Sequence, residues 1–151
     1  MDVRELTVSY GDIVGTVDGR CLTTPRAAAD IINSTVGAAT SECFVMLALD
    51  VRSRVTHSSI VSRGTLTASL VHPREVFRSA ILANAASIII GHNHPSGTVL
   101  PSREDGEVTE RIEAAGELLG IRMLDHVIVA GSHDPVPFYS FMTHGVRGVA
   151  S

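Results

Sequence analysis

His92 and His94 stand two residues apart, with Asn93 between them. On an extended backbone, side chains at i and i+2 project to the same side, so both imidazoles can face one point. Imidazole nitrogen suits zinc and other borderline transition metals. Seven histidines in 151 residues make a chance His-x-His common, so the pair alone is equally compatible with two solvent-facing loop histidines. The residues downstream add weight: the order is His-x-His, seven residues, Ser102, two residues, Asp105. Asp105 falls in the first turn of a predicted helix and would point back toward the histidines. Two histidines and one carboxylate leave a fourth tetrahedral position open to water, the pattern of a catalytic rather than a structural zinc site. Ser-x-x-Asp is also a capping box, which asks of Ser102 only that it satisfy helix amides. The two roles are compatible, because a capping serine is held rigid and its hydroxyl can still be aimed at a reacting oxygen.

The elements that must position these residues can be read in outline. Ala86 to Gly91 reads as a short strand running directly into His92, stopped by Pro95 and Gly97. Pro101-Ser102 restarts the chain as a helix to about Leu119, with Gly120 as a left-handed cap. Glu107, Glu110, Arg111 and Glu113 form its outer face, with Glu107 and Arg111 at i, i+4. Cys43 to Leu49 is continuously apolar, as in a strand buried on both faces. Val3 to Ser9 reads as a strand, Thr24-Pro25 as the start of a helix running through Ala27–Ile32, and His72-Pro73 as a second helix start reaching Ala85. Val55 to Ser69 reads as two strands or one bent strand broken at Arg63-Gly64, Ile121 to Ala130 as another strand and Val136 to Met142 as one more. Helices and strands are interspersed, so the expected class is α/β with a mixed β-sheet flanked by helices, in a single domain over 1–151.

Composition excludes several classes. Sixteen acidic residues against twelve basic ones give a net charge of −4, and all twelve are arginine. A module that bound nucleic acid mainly through phosphates would carry the opposite balance. No apolar run is long enough to span a bilayer, and the N-terminus shows no secretory signal pattern. Cys21 and Cys43 are too few for a disulfide framework and read as reduced thiols of a cytoplasmic protein. Asp125-His126, before an apolar run, could orient a ligand or serve as a hydrogen-bonded structural pair. His72 reads as a turn or helix-cap residue, and His57, His133 and His144 have no partner at ligand spacing.

His92-Asn93-His94-Pro95 followed by Pro101-Ser102-Arg103-Glu104-Asp105 resembles the JAB/MPN domain with its JAMM metalloprotease motif, most closely the RadC-type branch. Glu42, Gly64-Thr65-Leu66, His72-Pro73-Arg74-Glu75-Val76, Pro95-Ser96-Gly97, Leu124-Asp125-His126-Val127-Ile128-Val129 and Ser140-Phe141 extend the resemblance over about residues 35 to 147. It implies one JAB/MPN-like (cytidine-deaminase-like) domain, with 1–34 as an N-terminal strand–helix extension. It also implies that His92, His94 and Asp105 hold one Zn2+ per chain. Glu42 matches the glutamate that contacts the attacking water and acts as general acid and base. Ser102 matches the serine that helps hold the tetrahedral intermediate.

The implied activity is zinc-dependent hydrolysis of an amide bond in a peptide or a ubiquitin-like protein. Asn93 stands where the best-known deubiquitinating members carry serine or threonine, and the Pro95–Pro101 loop is short. A bacterial ubiquitin-like tail and an unrelated peptide are therefore equally open as substrates. A DNA-associated role in repair or mobile elements, with a metal-dependent nuclease as its sharpest form, is the alternative. Charge does not support it, and the roughly forty residues before the JAB-like part hold no lysine and no glycine-rich hairpin pattern. A non-catalytic scaffold is a third reading, set against it by a complete ligand set. Lacking lysine, the chain is not itself an acceptor for lysine-linked conjugates.

Overall fold

The computed structural model describes residues 1–5, 21–64, 71–131 and 133–145. Its centre is β1 (Cys43–Leu49), in which all seven residues are buried, as a strand covered on both faces requires. β2 (Val55–Arg63) pairs with it on one side and β3 (Ser87–Asn93) on the other, both antiparallel. β3 pairs in parallel with β4 (Arg122–Val129), and the short β5 (Phe138–Ser140) closes the order β2-β1-β3-β4-β5. The sheet is therefore mixed, as expected.

Alternation along β1 assigns the helices to the two faces. Val45, Leu47 and Leu49 pack with Ala28, Ala29, Ile32 and Val36 of α1 (Pro25–Val36). Phe44, Met46 and Ala48 pack on the other side with Val76, Phe77 and Ala80 of α2 (Pro73–Leu82) and Val108 and Ile112 of α3 (Arg103–Leu119). Thr24 caps α1 by accepting from the Ala27 amide, and His72 caps α2 by accepting from the Arg74 amide, each before a proline at the first helical position. Gly120, at φ 72°, ends α3 in the left-handed conformation that its sequence position suggested.

Where α1 crosses β3, only a glycine fits. A Cβ on Gly91 would lie 2.5 Å from Ile32 Cδ1 and 2.8 Å from the Val127 carbonyl oxygen. Ile32 can rotate away, but the Val127 carbonyl belongs to the neighbouring strand. Gly91→Ala is expected to lower stability by about 1–3 kcal/mol, the usual range for overpacking, read as a drop in urea midpoint with an unchanged slope.

Some boundaries differ from the sequence reading. β3 runs on through His92 and Asn93, so both lie within the ladder. The expected strand Val136–Met142 is pared to Phe138–Ser140, and Phe141–His144 turns into the one-turn helix α4. The Ser140 side chain accepts from the Thr143 amide and donates to buried Asp125, which stops the strand there. Most of Val3 to Ser9, and Thr65 to Ser69 after the break at Gly64, lie outside the described residues. On the solvent face of α3, Glu107 pairs with Arg103 at 3.2 Å. Among the described residues no helix is long and apolar enough to cross a membrane.

Candidate metal centre

The site forms where β3 ends and α3 begins, outside the carboxyl ends of the parallel strands, the usual place for ligands in such sheets. His92 is the strand's next-to-last residue, and the His94 amide donates to Val129 O at 2.8 Å, extending the backbone pairing past the strand end. The Ser102–Asp105 capping box is complete: Ser102 Oγ accepts from the Asp105 amide at 3.1 Å, and Asp105 Oδ2 accepts from the Ser102 amide at 2.8 Å. This double hold aims Asp105 at the histidines.

Three buried donor atoms converge there. His92 Nε2 and His94 Nε2 are 2.9 Å apart, Asp105 Oδ1 is 3.2 Å from His92 Nε2, and Asp105 Oδ2 is 3.4 Å from His94 Nε2. Bonds of about 2.0–2.1 Å to a tetrahedral zinc would set ligand atoms roughly 3.3 Å apart. The observed spacings fit such an ion with shifts of a few tenths of an ångström, so His92, His94 and Asp105 form a group that can hold a metal. The electrostatics agree with a site for a cation. Burial alone would raise the pKa of Asp105, but the adjoining His92 and His94 hold it well below the usual carboxylate range. Burial also opposes charge on His94, yet the Asp105 carboxylate, the Thr98 carbonyl and the charge of Glu42 raise its pKa.

Glu42 is therefore within electrostatic reach of the cluster, although fifty residues separate it from His92 in sequence. Strand register explains its arrival. Phe44 pairs with His92, and continuing that antiparallel pairing two residues sets Glu42 opposite His94. Asn93 fastens the approach to β1 in place: its Oδ1 accepts from the Cys43 amide at 2.7 Å, and its Nδ2 donates to Ala39 O and Ser41 O. One buried amide between two of the cluster's histidines thus ties down the backbone on both sides of Glu42.

A family model described as the RadC-like JAB domain matches residues 22–146. The chain belongs to the RadC-like JAB domain family. A UPF0758 protein of Finegoldia magna is 45% identical over 116 residues, covering 77% of this chain and 52% of the relative. One from Rubrobacter xylanophilus is 50% identical over 105 residues, covering 70% and 44%. One from Methanosarcina acetivorans is 53% identical over 88 residues, covering 58% and 38%. The chain spans about half the length of the curated relatives it matches.

In this RadC-like JAB domain the open question about Asp125 and His126 resolves into two roles. Asp125 faces away from the cluster and binds strand to helix, accepting from the His126 amide, Ser140 Oγ and the Met142 amide. Burial raises its pKa against those three donors. His126 is fully buried, and its Nε2 lies 2.9 Å from His92 Nδ1. Burial and the neighbouring His92 hold its pKa well below the ordinary value, which keeps it neutral. Phe141 stacks on it and Phe44 stacks on His92, walling the histidines off on the strand side. Sequence reasoning missed Thr109, whose Oγ1 is 2.6 Å from His126 Nδ1. Its spacing of four residues from Asp105, on the same helix face, was the available signal. Cys43 is a buried packing residue as expected, and His72 is a cap.

Proposed function

We propose that this domain is a zinc-dependent hydrolase of amide bonds, acting on a peptide or on the tail of a ubiquitin-like protein. The observation that carries the proposal is the convergence of His92 Nε2, His94 Nε2 and Asp105 Oδ1, three protein ligands that leave a coordination position open. Zinc bound there would supply Lewis acidity, lowering the pKa of water toward neutrality and polarising the scissile carbonyl. Glu42, across from His94, takes the proton of the attacking water and passes it to the leaving amine. Ser102 accepts from the Asp105 amide as a cap, and its own hydroxyl hydrogen donates to the oxygen that becomes negative in the tetrahedral intermediate. Asn93 holds the backbone around Glu42, Phe44 stacks on His92, and Phe141 stacks on His126 behind it.

Metal analysis tests the proposal together with a screen of peptide libraries. The expected result is one zinc per chain and a cleavage activity that chelation removes and added zinc restores. Metal-free protein with undiminished cleavage, or zinc-loaded protein that cleaves nothing across the libraries, would sink it.

A further inference from the structure

A line of buried hydrogen bonds runs behind the ligands through Thr109, which is only 2% exposed. Thr109 Oγ1 lies 2.7 Å from the Asp105 backbone oxygen and 2.6 Å from His126 Nδ1, and His126 Nε2 lies 2.9 Å from His92 Nδ1. Each contact needs one hydrogen, and their order follows from what each atom can do. A carbonyl oxygen only accepts, so the single hydroxyl hydrogen of Thr109 belongs on the contact with Asp105. Turned the other way, it would leave two oxygens 2.7 Å apart with nothing between them. Thr109 Oγ1 then offers His126 a lone pair, and His126, fully buried with its two ring nitrogens against Thr109 and His92 and neither of those acidic, carries one N–H, on Nδ1. His126 Nε2 must accept, so the third hydrogen sits on His92 Nδ1. His92 Nε2 is left as a bare lone pair facing His94 and Asp105. The reverse polarity would place a proton on His92 Nε2, where a metal would have to bind.

We propose that Thr109 is a positioning residue which, through His126, fixes His92 in the Nδ1–H tautomer and so keeps its Nε2 available as a metal ligand. That consequence rests on the reading of His92, His94 and Asp105 as a metal site. His94 shows why a relay is needed at one histidine and not the other. Its Nδ1 meets a backbone carbonyl directly, Thr98 O at 2.9 Å. His92 lies inside the ladder between β1 and β4, where neighbouring carbonyls serve strand pairing. A side-chain relay to the Asp105 carbonyl on α3 does the same work across a longer distance. It also places Asp105 at both ends of His92, its carboxylate beside His92 Nε2 and its backbone oxygen at the far end of the relay from His92 Nδ1.

The test combines imidazole 15N NMR of metal-free protein with zinc affinity measured by competition against a chromophoric chelator. Wild type is expected to show His92 with its proton on Nδ1. The near-isosteric Thr109→Val is expected to bind zinc about 10–100-fold more weakly, the usual cost of losing an outer hydrogen-bond partner, and to shift the His92 tautomer pattern. Thr109→Ser, which restores the hydroxyl, is expected to recover most of the loss. Wild-type His92 protonated on Nε2 overturns the proposal, and so does a Thr109→Val affinity within about twofold of wild type. The wild-type spectrum decides even if the valine variant does not fold. A wild type that binds no zinc overturns the metal site itself, while the tautomer spectrum still decides whether the relay exists.

Discussion

Glu42→Gln is expected to abolish hydrolysis while leaving zinc content at one per chain. Glutamine matches glutamate in size but cannot take a proton, so the loss isolates the proton-transfer role from packing. General acid–base catalysis is worth typically about 10²–10⁴ in rate, and the loss should fall in kcat with KM little changed. Glu42 is not in the convergent triad, so metal binding should survive. The comparison with Asn93→Ala sharpens the test. That substitution removes the three hydrogen bonds holding the backbone at Ala39, Ser41 and Cys43 but leaves the Glu42 carboxylate in place. If Glu42 works from a held position, Asn93→Ala should also lower kcat, and the double variant should be little worse than Glu42→Gln alone. Full activity in Glu42→Gln would remove the residue from the mechanism.

How much of this was legible in the sequence depends on the range of the interactions involved. The cluster was readable because its residues are local: two histidines on one strand end and a capping box just beyond, all within fourteen residues. Capping chemistry and a candidate metal ligand coincide at Asp105, so one short pattern carried both. β1 was readable because seven consecutive apolar residues admit little besides a strand covered on both faces. Glu42 was different. Nothing local distinguishes it from a solvated glutamate, and its placement depends on the pairing of Phe44 with His92. Only the resemblance to a family pointed to it. Helical spacing puts Thr109 on the Asp105 face of α3, but its contact with His126 depends on how α3 packs against β4, which that spacing does not encode. The Val136–Met142 run misled because β-branched and aromatic residues favour strands, while Ser140, bonded to Asp125, ends the strand and caps α4.

Asp105→Asn carries the largest expected effect on the metal and needs no substrate to measure. The amide keeps the size of the side chain and one oxygen to accept from the Ser102 amide, so the start of α3 should persist. It lacks the charge that suits Asp105 to hold a cation. Structural zinc sites with four ligands bind with roughly 10–16 kcal/mol, or about 3 kcal/mol for each, so losing one should weaken binding by about two orders of magnitude. Thermal unfolding makes this visible. A ligand at a hundred times its dissociation constant stabilises a protein by about 2.7 kcal/mol. For a domain of this size that corresponds to a rise of roughly 5–10 °C in Tm. Zinc at that concentration should give wild type the full rise and Asp105→Asn only a small part of it. Since His92 and His94 both survive in the variant, a residual shift is consistent with two remaining ligands. An undiminished shift would mean that zinc stabilises the protein from somewhere other than this cluster, and Asp105 would be left with its capping role alone.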